Sequence, residues 1–309
     1  MPVAPAVLRA ALDQLAGDGR VVVPDAWAPS VQGAVGHVVG VTGEDGPAVL
    51  KVVAPGLAPR LRVEAVALGL LAGVAGVPAP RVLALGYTPD GHAFLLMTRL
   101  PGVRWADRRS ALDAATQTAL TSAVGGVLRR LHDVAGPGFG SLGAGAPLRA
   151  TAWDRVQDRA AELLADHDRV GGAGEVRARV GALLDAHRAA FVACDRAVLC
   201  HRDLVDANLL VADDDPARPS GVVDLERAAW DDPMTDLAQT RVHVRQHVPA
   251  DAAALVDGYG RLTAPEHERL AVHEALHLLA ERSWVAWDRP AGWRESVARL
   301  DGLLDAALR

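Results

Sequence analysis

Lys51 stands inside the apolar run Ala48-Val49-Leu50-Lys51-Val52-Val53, and it is the only lysine in 309 residues; every other one of the 32 basic side chains is an arginine. The run reads as a β-strand, so whatever fold the chain adopts must set an ammonium group within a sheet. A chain that uses the planar guanidinium fork everywhere else keeps a compact point charge on a flexible stem only where that geometry is needed. A strand lysine that reaches nucleotide phosphates is one such place. The bland alternative is a lysine left over by coding bias, and partners elsewhere in the chain decide between the two.

Such partners occur about 150 residues further along. The segment Val198-Leu199-Cys200-His201-Arg202-Asp203-Leu204-Val205-Asp206-Ala207-Asn208 carries His-Arg-Asp with an asparagine five places after the aspartate. In phosphoryl transfer this spacing lets the aspartate orient and deprotonate a hydroxyl while the asparagine holds magnesium from the same loop. A second apolar run, Gly221-Val222-Val223-Asp224-Leu225-Glu226, delivers Asp224 at a strand end as the second oxygen ligand. Magnesium needs one or two protein oxygens besides phosphate and water, so Asn208 and Asp224 suffice. Each piece alone is a weak signal; their joint order is a strong one.

His201 to Asn208, Val223-Asp224-Leu225-Glu226 and Asp232-Pro233-Met234-Thr235-Asp236-Leu237-Ala238 together resemble the aminoglycoside phosphotransferase and choline kinase group, small-molecule relatives of the protein kinases. The resemblance covers nearly the full chain. It implies an α+β, bilobal protein-kinase-like fold, with a small β-rich nucleotide-binding lobe over 1–98 and a larger, mainly helical catalytic and substrate-binding lobe over 99–309. It also implies Asp203 as catalytic base, Asn208 and Asp224 as magnesium ligands, Lys51 on the phosphates with Glu64 as its helix partner, and His201, Arg202 and Asp236 as supports of the loop. Met97, Thr98, Arg99 and Leu100 resemble the hinge that faces the nucleotide base.

Departures from the protein-kinase pattern narrow the substrate. Ser30-Val31-Gln32-Gly33-Ala34-Val35-Gly36-His37 offers two glycines where a protein kinase has three, with Ser30, Gly33, Gly36 and His37 as the candidates for capturing phosphates. Asp224 is followed by Leu225-Glu226 where a protein kinase has Phe-Gly, so a protein substrate is not expected. Arg202 occupies a position where antibiotic kinases commonly carry glycine; it reads as a structural ion-pair partner in preference to a side chain facing the site.

Composition agrees with a two-lobed enzyme. Half the residues are apolar, and a formal charge of −6 supplies no basic patch of the kind nucleic-acid binding needs. Two cysteines, Cys194 and Cys200, make no disulfide framework and point to a reducing cytoplasm. No targeting segment and no membrane span is expected.

Periodicity predicts a helix over Met1 to Gly17, strands Val35 to Val41 and Ala48 to Ala54 joined by a turn, and a helix through Leu61, Ala65, Leu68 and Ala72 that carries Glu64. A second hairpin pairs Arg81 to Tyr87 with His92 to Thr98, and Pro101-Gly102 marks the lobe boundary. Beyond it Ser110 and Asp113 resemble a capping box, and helices cover Trp153 to Ala165, Glu175 to Phe191 and the chain from Thr235 onward.

One motif points to different chemistry. His273-Glu274-Ala275-Leu276-His277 matches the zinc-peptidase pattern of two imidazoles one turn apart with a glutamate between them. Half-buried histidines with local partners are the preferred reading. Tryptophans outnumber the other aromatic types, and Trp230, Trp284 and Trp287, with Glu226, are candidates for acceptor contact.

The expected function is therefore ATP- or GTP-dependent transfer of the γ-phosphate, with magnesium, to a hydroxyl of a small molecule. An antibiotic comes first as acceptor, whether aminoglycoside, other sugar-bearing, nucleoside or peptide, with resistance as the outcome. A metabolic kinase of the choline or amino-sugar type is second, a non-catalytic nucleotide-binding module third, and zinc peptidase the alternative of another class. The expected state is a monomer or homodimer.

Overall fold

The computed structural model describes residues 4–33, 36–143, 145 and 147–309. Met1 of the first helix and Ala34 and Val35 of the glycine-bearing segment thus lie outside the described residues. The chain runs α1 (Pro5–Gly17), β1 (Val22–Pro24), β2 (Gly36–Gly43), β3 (Gly46–Val53), α2 (Ala58–Leu71), β4 (Val82–Tyr87), β5 (Ala93–Thr98), β6 (Val103–Arg104) and α3 (Trp105–Arg108). It continues with α4 (Ala114–Leu131), β7 (Gly140–Ser141), α5 (Ala152–Arg169), α6 (Glu175–Ala186), α7 (Arg188–Val192), β8 (Val198–Cys200), β9 (Leu209–Val211), β10 (Pro219–Val222) and β11 (Ala229–Asp231). The helices α8 (Pro233–His247), α9 (Ala252–Tyr259), α10 (Ala264–Asp288) and α11 (Trp293–Ala307) complete it.

Two compact units result: the described residues of Met1–Leu112, Leu142–Gly145 and Asp206–Ala228 form one, and those of Asp113–Ser141, Ala146–Val205 and Ala229–Arg309 the other. The division differs from a single cut after residue 98, because the segment Asp206–Ala228 returns to the first unit.

In the first unit an antiparallel sheet has the order β1-β2-β3-β5-β4. Central β3 pairs Lys51 with Val38 on one side and Leu95 on the other. Alternate residues Ala48, Leu50 and Val52 pack with Val41, Phe94 and Leu96 against Ala11 and Leu15 of α1. Lys51 is one residue out of phase with that set and so faces the opposite side of the sheet, where it meets Glu64 of α2. Both faces of β3 are covered, which is why its sequence is an unbroken apolar run instead of an alternating one. The turn between β2 and β3 closes on the pair Gly43 and Gly46, and Gly46 has φ 87°, a conformation open to glycine at no steric cost. A smaller sheet, ordered β10-β9-β6, belongs to the same unit.

The second unit is mostly helical, with one three-stranded sheet ordered β7-β11-β8. α10 runs through its core, with α5, α7, α8 and α11 packed on it. It opens with a capping box in which Thr263 and Glu266 satisfy each other's backbone N–H groups. α4 and α9 cross closely at two glycines; a Cβ on Gly258 would stand 1.9 Å from Ser122 O, and one on Gly125 2.1 Å from Leu255 O.

Three local expectations are corrected. The cap of α4 is Asp113, whose carboxylate accepts from Thr116 N, while Ser110 lies in a preceding 3₁₀ turn. The segment Glu175 to Phe191 is two helices, α6 and α7, because His187 leaves helical geometry at φ −107° and ψ 12°. α8 begins at Pro233, two residues before Thr235, with the Asp232 side chain accepting from Met234 N.

Candidate active site

Lys51 is the centre of a buried cluster in the first unit. Its Nζ lies 2.7 Å from Glu64 Oε2, 2.6 Å from Asp224 Oδ1 and 3.1 Å from Glu226 Oε2. Burial alone would lower the lysine pKa, but the charges of Glu64, Asp224 and Glu226 outweigh it and hold the group above the ordinary lysine range. Glu64 is shifted upward, first by burial and then by the like charges of Asp224 and Glu226, against the pull of Lys51. One ammonium cannot neutralise three carboxylates. Arg60 reaches Glu226 Oε1 only at 3.5 Å and is itself half exposed, so negative charge is left over around Asp224.

The local fold explains why Asp224 arrives there. It follows β10 with φ 66°, an unusual backbone for an aspartate, and its side chain is 40 % exposed while that of Lys51 is 7 % exposed. The β9 and β10 register sets Val222 opposite Leu209, and Val223 N donates to Asn208 O at 3.1 Å. A carboxamide and a carboxylate are thus carried on adjoining ends of one hairpin, next to surplus negative charge. Oxygen donors and an unbalanced negative charge suit a hard divalent cation such as magnesium.

The second unit holds the loop that precedes this hairpin in sequence. His201 N and Arg202 N donate to the two oxygens of Asp236 at 2.7 and 2.6 Å. His132 Nε2 lies 3.3 Å from Asp236 Oδ2, and its Nδ1 lies 3.0 Å from the Tyr259 hydroxyl. Burial would raise the Asp236 pKa, yet His132, His201 and the Arg202 N–H hold it below the ordinary carboxylate value. These bonds fix Arg202 at φ 61°, in the left-handed region. Asp203 follows directly, with Oδ1 accepting from Gln239 Nε2 at 3.1 Å, while Thr240 Oγ1 holds Leu204 O at 2.8 Å. Asn208 is five places after Asp203, and the chain passes from one unit to the other between Val205 and Asp206.

A sequence profile described as the phosphotransferase enzyme family matches residues 30–273. The chain belongs to this family. It is accordingly an enzyme that transfers phosphate to hydroxyl groups of small molecules. Among solved structures it is similar to a thermostable mutant of aminoglycoside phosphotransferase APH(4)-Ia in ternary complex with AMP-PNP and hygromycin B, at 21 % identity and TM-score 0.68, covering 93 % of this chain and 94 % of that one. A putative fructosamine-3-kinase from Thermobifida fusca YX-ER1 is similar at 22 % identity and TM-score 0.69, with 99 % of each chain covered. The GDP complex of wild-type aminoglycoside 2'-phosphotransferase-IIIa follows at 14 % identity and TM-score 0.67, with 98 % of each chain covered. These likenesses show the kinase-like fold. A search of curated protein sequences found no match.

Within this phosphotransferase the remaining predicted residues fall as follows. Ser30 Oγ donates to Asp107 at 2.6 Å, and Gln32, overlooked in the sequence, bonds both N and O of Val38 and so ties the glycine-bearing segment to β2. No atom comes within 4 Å of a Cβ built on Gly33, whereas one on Gly36 would touch the Lys51 side chain at 3.2 Å. His37 pairs with Val52 in the sheet. Met97 is a buried β5 residue, Thr98 N donates to Arg81 O, and Arg99 N donates to Pro47 O, so two amide groups of the predicted hinge are already engaged. The Arg99 guanidinium pairs with Asp25 at 2.9 Å and lies over Trp27.

Other candidates are placed elsewhere. Glu226 sits with Lys51 and Arg60, not with a separate acceptor group. Trp230 is buried, its ring resting where a Cβ on Gly136 would lie at 2.5 Å, so it serves as core. Trp284 and Trp287 are 53 % and 73 % exposed on α10. The zinc-peptidase pattern is dismantled by local partners: His273 Nε2 lies 3.0 Å from Asp232 Oδ2, and Glu274 is taken by Arg241 and Arg245 at 2.7 and 2.9 Å. Neither His273 nor His277 is in a group of described residues close enough to share a metal ion.

Sequence reasoning missed Gln239, the Arg109 partner of Asp206 and the Arg155 partner of Asp231. Glutamines and arginines carry no motif, and only distance reveals what they hold.

Proposed function

We propose that the enzyme transfers the γ-phosphate of ATP or GTP to a hydroxyl of a small molecule, with Asp203 as the base, Lys51 on the non-transferred phosphates, and Asn208 with Asp224 as the oxygen ligands of magnesium. The observation that carries this reading is the Lys51 ammonium held 2.7 Å from Glu64 and 2.6 Å from Asp224. A lysine so held keeps its full positive charge and has little conformational freedom to lose when phosphate arrives. Magnesium neutralises charge on the phosphate oxygens when bound. The residues of this chain do the rest: Glu64 orients Lys51, Asp236 sets the backbone before Asp203, and Gln239 orients the Asp203 carboxylate so that its second oxygen can take the hydroxyl proton.

Similar structures carry AMP-PNP and GDP, which supports nucleoside triphosphate as donor without choosing the base. Hygromycin B in one of them supports an antibiotic acceptor, and the fructosamine-kinase likeness supports a metabolic one equally. No described helix is long and apolar enough to cross a membrane. Exposed Trp284 and Trp287 remain candidates for the apolar face of the acceptor.

Asp203→Asn tests the reading. Nucleotide affinity is expected to stay within about twofold of the parent while phosphate transfer falls by at least about a hundredfold, the low end for loss of a positioned base. Unaltered turnover in that variant would remove Asp203 from the chemistry.

A further inference from the structure

Helix α5 and the loop before Asp203 bring three guanidinium groups together within the second unit. Arg155 Nε lies 3.2 Å from Asp231 Oδ2, and Arg202 Nε lies 3.9 Å from the same oxygen. Arg159, one turn beyond Arg155 on α5, reaches Glu162 Oε2 at 3.4 Å and no other carboxylate among the described residues. Asp231 is 5 % exposed, with Oδ2 accepting from Arg155 and Oδ1 from Asp232 N, whereas the Glu162 side chain is 59 % exposed and its charge is screened by solvent. Two cations therefore share one buried carboxylate, and a third beside them is paired with an exposed one. Burial, and then repulsion from Arg202 and Arg155 against the pull of Glu162, brings the Arg159 pKa down to about 10, so the crowding is felt at the side chain itself.

Arg202 adds an independent observation. Its backbone is left-handed at φ 61°, where glycine would sit without strain. At 3.9 Å its pairing with Asp231 is too long for a hydrogen bond, and Asp231 already has a closer cation. A structural ion pair does not account for an arginine kept in a strained conformation to make a redundant contact. Its side-chain donors, carried on the residue that directly precedes Asp203 in the chain, are left for another anion, together with those of Arg159 that Glu162 does not take.

We infer that Arg155, Arg159 and Arg202 bind an oxyanion on the phosphate acceptor, a carboxylate or a phosphate monoester, and that the enzyme acts on a hydroxyl of an acidic small molecule. The inference rests on the phosphotransferase reading for the place of the acceptor. In the reaction the acceptor oxygen forms a bond to the γ-phosphorus, the bond from that phosphorus to the β,γ-bridging oxygen breaks, the nucleoside diphosphate leaves with the electron pair, and the hydroxyl proton passes to Asp203. Guanidinium forks match carboxylate and phosphate oxygens two by two, and the same cluster repels the ammonium groups of a polycationic acceptor.

The test uses the full chain saturated with Mg·ADP, so that the nucleotide site is filled. Thermal unfolding midpoints are followed as inorganic phosphate or succinate is titrated, each against sodium chloride at equal ionic strength. At least one of the two anions is expected to raise the midpoint in a saturable manner, phosphate and succinate distinguishing the two sources of oxyanion. Arg202→Gly, which relieves the backbone, and Arg159→Gln, at a partly exposed position, are each expected to weaken the apparent affinity about tenfold, the worth of one charge-assisted pair. Midpoints no higher than in chloride, or an affinity unchanged in both variants, overturn the inference. A chain that binds Mg·ADP but gives no anion response keeps the phosphotransferase reading and loses this one. An anion response in a chain that does not bind nucleotide overturns the acceptor assignment together with the parent reading.

Discussion

Replacing Asp236 with asparagine exchanges one heavy atom and removes the anchor of the loop that carries His201, Arg202 and Asp203. Both carboxylate oxygens accept backbone N–H groups, from His201 at 2.7 Å and Arg202 at 2.6 Å. Asparagine supplies one carbonyl oxygen and an NH₂, so one buried N–H must face another donor. A hydrogen bond to a charged group contributes roughly 1.5–3 kcal/mol, and an unsatisfied buried donor costs roughly 1–3 kcal/mol. Part of that sum is offset because the neutral amide escapes the burial cost of the carboxylate. The depressed pKa of Asp236 shows that its hydrogen bonds and the two histidines outweigh burial, so the net remains a loss, about 3 kcal/mol. For a unit of this size that corresponds to a fall in the unfolding midpoint of roughly 6–12 °C.

The same substitution in an Arg202→Gly background is expected to cost about 1 kcal/mol less, because glycine adopts φ 61° without being held there. Urea unfolding of the four proteins gives this coupling as a double-mutant cycle. Turnover of the Asp236→Asn enzyme should fall while nucleotide affinity, proposed to depend on Lys51 in the other unit, is retained. A single-variant cost below about 1 kcal/mol, or no coupling to Arg202, would refute the view that Asp236 sets the loop geometry.

Lys51→Arg keeps the charge but puts a planar fork where a point charge meets three carboxylate oxygens; catalytic efficiency is expected to fall at least about a hundredfold, measured as kcat/KM for nucleotide. Gly258→Ala drives a Cβ to 1.9 Å from Ser122 O, a backbone atom that cannot step aside, and should destabilise by about 3 kcal/mol or more in chemical unfolding, whereas Gly302→Ala, with nothing within 4 Å, should not. Asp232 and Asp236 both have folded-state pKa values below the ordinary 3.8, despite burial, through His273 and Arg269 in the first case and His132 and His201 in the second. Their stabilisation is complete above the unfolded-state value and lost as pH falls through the folded ones, so unfolding midpoints from these two groups should be level above about pH 5 and drop below about pH 4.

Much of the local structure was legible because it is dictated locally. Alternation and turn chemistry gave both hairpins of the first sheet, and helical spacing put Glu64 on the helix after the lysine strand. His-Arg-Asp and its asparagine stood out as candidates because the roles proposed for them require fixed spacing along one loop. Less legible were features in which the neighbour is remote: the break at His187, Asp113 and not Ser110 as the cap of α4, the commitment of His273 to Asp232, and the hold of Gln239 on Asp203. The five-residue zinc pattern illustrates the difference, since sequence shows which side chains share a helix face and never what already occupies them.

By itself the sequence determined which groups are available: one ammonium among guanidiniums, and the aspartate, asparagine and second aspartate proposed as base and oxygen ligands, in a set order. Tertiary structure alone decided the electrostatics. Three carboxylates from α2 and the segment after β10 converge on Lys51, and Arg155 and Arg202 share the buried Asp231 while Arg159 lies close enough to feel both of their charges. The physical reason is that charge interactions depend on separation and on exclusion of water, and neither is written in the order of residues along a chain.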